Sequence, residues 1–63
     1  MYRIILTPHG KEWVAEIPKL PGCMGAGDTP DEALKAVLDR QENWLEIARL
    51  ADVEIPEGDE RKP

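Results

Sequence analysis

The segment Ile17-Pro18-Lys19-Leu20-Pro21-Gly22-Cys23-Met24-Gly25-Ala26-Gly27-Asp28-Thr29-Pro30-Asp31-Glu32-Ala33 constrains this chain more than any other, because it carries a strand end, a tight turn, a short strand and a helix start in succession. Thr29 followed by Glu32 has capping-box spacing. The hydroxyl can accept from the N3 backbone N–H while the glutamate reaches back to the cap's own N–H. Pro30 then falls at the first helical position, where a missing donor costs nothing and the fixed φ suits the helix. Asp31 and Glu32 set negative charge against the positive end of the helix dipole. The helix is therefore predicted to start at residue 30. Asp28 reads as a turn residue bonding nearby backbone N–H groups.

Upstream, Tyr2 to Thr7 is rich in β-branched and aromatic residues and reads as a first strand, followed by turn chemistry in Pro8-His9-Gly10-Lys11. Glu12 to Ile17 alternates Trp13, Ala15 and Ile17 with Glu12, Val14 and Glu16, the period of a second strand. These two runs form a hairpin. Pro18 and Pro21 bar ladder pairing beyond it, Gly22 permits a sharp reversal, and Cys23 to Ala26 is long enough for a third strand. From Pro30 to about Ala51, the residues Leu34, Val37, Leu38, Leu45 and Ala48 share one helical face, with Ala33 and Trp44 on its flank and Gln41 near its centre. Asp31, Lys35, Asp39, Glu42 and Glu46 occupy the opposite face, with favourable i,i+4 pairs at Asp31/Lys35 and Lys35/Asp39. Ile47 and Leu50 fall off the main stripe, to be covered by Val53-Glu54-Ile55 or by another chain.

The expected fold class is α+β: a three-stranded antiparallel sheet with one helix on one face, in the order β-β-β-α. One domain spans residues 1–55, and residues 56–63 form a polar tail expected to be mobile. The second sheet face stays open, with Ile5 and Val14 among charges, or Trp13 if the register is inverted, since a slip of one residue exchanges the faces.

With 63 residues, no Phe and 41% hydrophobic residues, the chain can bury only about 60% of its unfolded surface. One small core exhausts its apolar side chains, and an enclosed substrate cavity in addition is not expected. Self-association or a partner is expected instead. The single Cys23 excludes an internal disulfide, and no Cys/His cluster suggests a structural metal, so a buried thiol in a reducing cytoplasm is the reading. No long apolar run suggests a leader or a membrane span. Charge is uneven: residues 1–27 carry a net +1, and residues 28–60 set Lys35, Arg40 and Arg49 against eleven acids. That acidic half disfavours direct nucleic-acid binding and suits a basic partner, although a solvated helix face explains it as well.

The ordered motifs Trp13-Val14-Ala15-Glu16-Ile17-Pro18, Leu20-Pro21-Gly22-Cys23, Gly27-Asp28-Thr29, Glu32-Ala33, Trp44-Leu45 and Ile55-Pro56-Glu57 resemble the HicB-like antitoxin family over residues 2–57. The resemblance implies a partial RNase H-like fold with Val53 to Ile55 as a short fourth strand. It also implies an antitoxin of a prokaryotic type II toxin–antitoxin system that binds and covers a small basic RNA-cleaving HicA toxin. Three features depart from the family pattern. Lys19 stands where Asp is frequent before Leu-Pro-Gly, and Asp52 stands where Gly often ends the helix. No DNA-binding domain follows before Pro63, so autorepression is not expected. The alternative is a stand-alone homo-oligomeric regulator or scaffold.

Trp13 and Trp44 are candidate partner anchors, a residue type that dominates many interfaces, and the core of a chain without Phe explains them equally. Asp39, Glu42 and Glu46 are the candidate acidic partner contacts. Pro21, Gly22, Gly27, Asp28, Thr29 and Glu32 are assigned to the turn and the cap. A two-metal nuclease needs carboxylates converging from strands and helix, but the first strand holds none and the turn and cap already account for Asp28, Asp31 and Glu32. His9, placed in the turn, receives no role. No catalysis and no cofactor are expected.

Overall fold

The computed structural model describes residues 2–56. It contains β1 (Ile5–His9), β2 (Glu12–Glu16), β3 (Met24–Gly27) and α1 (Pro30–Leu50) in that order. The strands form an antiparallel sheet in the order β1-β2-β3, with α1 packed on one face, as the sequence led us to expect. The expected tail beyond Pro56 lies outside the described residues.

The hairpin register pairs Ile5 with Glu16 and His9 with Glu12, leaving a loop of Gly10 and Lys11. β1 is therefore displaced from the expected Tyr2–Thr7, and both Pro8 and His9 belong to the strand. The reason is position: β1 is an edge strand, where a residue without N–H is tolerated. Tyr2 and Ile4 still pack against the core from ahead of the strand.

Between β2 and β3 the chain makes two successive turns. Leu20 N–H donates to the Ile17 carbonyl at 3.0 Å, and Cys23 N–H donates to the Leu20 carbonyl at 2.9 Å. Ile17 N–H closes the loop onto the Cys23 carbonyl at 3.1 Å. In the second turn Pro21 is followed by Gly22 at φ +81°, the pattern of a type II turn. The hinge residues Ile17, Leu20 and Cys23 recur every third position, and all three are buried. A loop with two prolines thus supplies half of the central apolar cluster, which Ala15, Ala33 and Val37 complete.

The helix begins as expected at Pro30 with Thr29 as its cap, whose Oγ1 accepts from Glu32 N–H at 3.1 Å. Glu32 Oε1 accepts from Asp28 N–H at 2.9 Å, one residue before the cap's own N–H that the capping box predicts. At the other end Asp52 has φ +58°. Val53 N–H bonds the Ala48 carbonyl at 2.8 Å and Asp52 N–H bonds the Arg49 carbonyl at 3.3 Å, the two bonds of a Schellman motif. Aspartate tolerates the left-handed conformation less well than glycine and adds negative charge at the wrong end of the dipole. Asp52→Gly should therefore stabilise the domain by about 1 kcal/mol, raising Tm by roughly 4–8 °C in thermal melts; an unchanged or lower Tm contradicts this account of the cap.

The buried face of α1 is centred on Ala33, Val37 and Ala48, with Trp44 half-buried beside them. Leu38, expected inside, is 42% exposed. Two glycines cause this rotation. A Cβ on Gly25 would stand 2.7 Å from the Ala36 carbonyl carbon, and one on Gly27 would stand 2.5 Å from Glu32 Cβ. The helix backbone is thus pressed onto β3, and its small-residue side faces the sheet. Gln41 is half-buried on the flank rather than central.

One further expectation fails and one is narrowed. Val53 to Ile55 forms no strand among the described residues, and the backbone N–H of Val53 is taken by the helix cap. Ile47, Leu50 and Val53 are 59%, 83% and 53% exposed, so that segment does not cover the last helical turn, which leaves the alternative of another chain. It is tied down elsewhere, where Tyr2 Oη–H donates to the Pro56 carbonyl at 2.6 Å.

Candidate functional site

The 3.6-residue period carries Asp39, Glu42 and Glu46 to one flank of α1, where all three are exposed. They border an open hollow together with Gln41, Leu45 and Arg49. The rim therefore carries three carboxylates and one guanidinium around a single leucine. A surface of this kind has no enclosed cavity in which to bind a substrate, and it attracts cationic surfaces.

The two tryptophans lie apart from this strip. Trp44 Nε1–H donates to the Pro21 carbonyl at 3.0 Å, so the indole clasps the double turn while its ring packs against the core. Trp13 lies on the helix-facing side of β2, in the same alternation as buried Ala15, and is half-buried against the core. The register is thus the non-inverted one. The open face carries Ile5, Thr7, Val14, Met24 and Ala26, with Glu12 and Glu16 interspersed. Ile5 is 42% and Met24 47% exposed there.

Pro21 and Gly22 form the type II turn, Thr29 and Glu32 cap the helix, and Gly27 lets it approach. At Asp28 the bond found is made by the backbone N–H. Gly25, the partner of Gly27 in that close approach, was not singled out by the sequence reading. The signal available was Gly-Ala-Gly: in a strand whose alternate residues face a helix, both glycines necessarily point at it.

Cys23 is 2% exposed with Sγ 4.0 Å from the Val37 carbonyl. Burial pushes its thiol pKa up, and the charge of Arg40 offsets part of that shift. The group is a protonated, packed side chain at neutral pH. Among the described residues no group of three or more His, Cys, Asp or Glu is placed to hold a metal ion, and no helix is long and apolar enough to cross a membrane.

Neither a family model nor a solved structure matches the chain significantly. A UPF0150 protein of Synechocystis sp. is 36% identical over 56 residues, covering 87% of this chain and 77% of that protein. On identity of that extent the chain belongs to the UPF0150 family.

Proposed function

We propose that this UPF0150 chain is a HicB-like antitoxin that binds a small, basic, RNA-cleaving toxin of the HicA type and covers its catalytic surface. The observation that carries the reading is the acidic flank of α1, on which Asp39, Glu42 and Glu46 stand together around an open hollow. A ribonuclease must attract phosphate, so its substrate surface is cationic, and an acidic strip competes for that surface by the same electrostatics. The small core and open sheet face support a protein-binding role, and the reading assigns the chain no catalysis, no cofactor and no direct contact with nucleic acid.

The test is affinity capture of the tagged chain from its own host, followed by ribonuclease assay of the captured partner with and without the chain. A small basic protein whose RNA cleavage is suppressed in the complex is expected. Its association rate should fall at least about tenfold between low and physiological ionic strength, and by a similar factor in the Asp39→Lys, Glu42→Lys, Glu46→Lys variant. A salt-independent association rate would rule out the electrostatic part of the reading. Recovery of the chain alone, at native expression, would replace it with the stand-alone oligomer.

A further inference from the structure

We propose that α1 pairs antiparallel with α1 of a second copy of this chain through the strip Leu34, Leu38, Gln41 and Leu45. This assembly does not depend on the antitoxin reading. The four positions follow the 4-3-4 spacing of a helix–helix seam. They lie on the side of α1 turned away from β3, because Gly25 and Gly27 hold the Glu32, Ala33 and Ala36 side against that strand. Leu38 is 42% exposed, and Leu34, Gln41 and Leu45 are half-buried, with Leu34 and Leu45 packing partly on the core, so the strip offers Leu38 and the outer parts of its neighbours to a partner.

Charge selects the occupant and the direction. The strip is flanked by Asp31 and Lys35 at its N-terminal end, bordering one hollow with Leu34 and Leu38. Glu42, Glu46 and Arg49 flank its C-terminal end and border the other hollow with Leu45. Turning a second copy antiparallel sets the N-terminal end of each strip against the C-terminal end of the other. Leu34 then meets Leu45 of the second copy, Leu38 meets Gln41, Asp31 meets Arg49, and Lys35 falls between Glu42 and Glu46. Leu34 and Leu45 pair as apolar residues, Leu38 lies against the stem of Gln41, each acid meets a base, and the two-fold repeats every pair. A parallel two-fold pair instead sets this charged flank beside the opposite flank of the partner helix, the side of Val37, Trp44 and Ala48 that packs on the core, so the charges find no complement there. Gln41 at the middle of the seam supplies the polar group that fixes register in helix pairs. Asp39 and the open sheet face remain outside the contact, whereas Glu42 and Glu46 lie within it, so this pairing and a basic partner on the acidic flank compete for those two carboxylates.

The experiment is sedimentation equilibrium on the full chain from micromolar to about millimolar concentration. The expected result is a reversible species of twice the 7.1 kDa chain mass. Leu38→Asp, at an exposed position that leaves the fold intact by circular dichroism, should weaken the association at least tenfold. Lys35→Glu and Glu46→Lys should each weaken it severalfold, and the double variant should recover most of the loss. Both substitutions suit the helix dipole, so a loss of helix does not mimic the effect. In a parallel pair residues 35 and 46 would be about 16 Å apart along the axis and no recovery could occur. A monomer throughout the range, a dimer indifferent to Leu38→Asp, or a double variant no tighter than the singles would each overturn the proposal.

Discussion

Gly25→Ala is expected to lower the melting temperature by about 10–20 °C, a loss of roughly 3 kcal/mol or more. The added methyl would sit 2.7 Å from the carbonyl carbon and 2.8 Å from the Cβ of Ala36, and nearer still to the backbone nitrogen of Val37. These neighbours are mostly helix backbone, so no rotamer change can make room. α1 must lift from β3, and in doing so it withdraws Ala33 and Val37, each 0% exposed, from the cluster they complete. For 63 residues the total stability is only about 3–9 kcal/mol, so one methyl can remove a third of it or all of it. Gly22→Ala provides the control. Its Cβ would meet nothing within 4 Å, and only the φ of +81° opposes it, at a cost of about 1 kcal/mol. Urea denaturation of the two variants side by side checks the ranking; equal effects would mean that the helix does not approach β3 as closely as described.

Those two glycines also mark the boundary of what the sequence discloses. Gly22 was legible because Pro-Gly names its own turn type. Thr29-Pro30 with Glu32 named the helix start, and Asp52 could be placed at the helix end. Each of these signals is local, with residue and structure lying within four positions. Gly25 and Gly27 act through a partner element, and a glycine in sequence does not say whether it answers a backbone angle or a neighbour's approach. The consequence propagates: without that approach, the helical face is centred on Leu34, Val37 and Leu38, whereas in the structure the small residues are inside and Leu38 is out. The strand position of Pro8 is hidden for the same reason, since edge status belongs to the sheet. For the candidate site, period alone grouped Asp39, Glu42 and Glu46, but not their separation from Trp13 and Trp44, which depends on where the double turn lands.

Trp44→Ala is expected to cost about 3 kcal/mol, the low end for a buried aromatic because the ring is only half-buried, whereas Trp44→Phe should cost about 1 kcal/mol. The difference separates two contributions. Phenylalanine keeps most of the ring against the buried cluster but cannot donate, so it measures the bond from Nε1–H to the Pro21 carbonyl, 3.0 Å long. Alanine removes the apolar contact as well and leaves the double turn without its clasp. Because Ile17, Leu20 and Cys23 enter the core through that turn, loosening it exposes buried surface beyond the indole itself. The same pair of variants weighs the tryptophan as an interface anchor. A residue that acts only through the core changes partner affinity in proportion to the unfolded fraction, so Trp44→Phe should bind the partner as tightly as the parent at temperatures where both are folded. A loss of affinity greater than about tenfold in folded Trp44→Phe would show that the indole also contacts the partner directly.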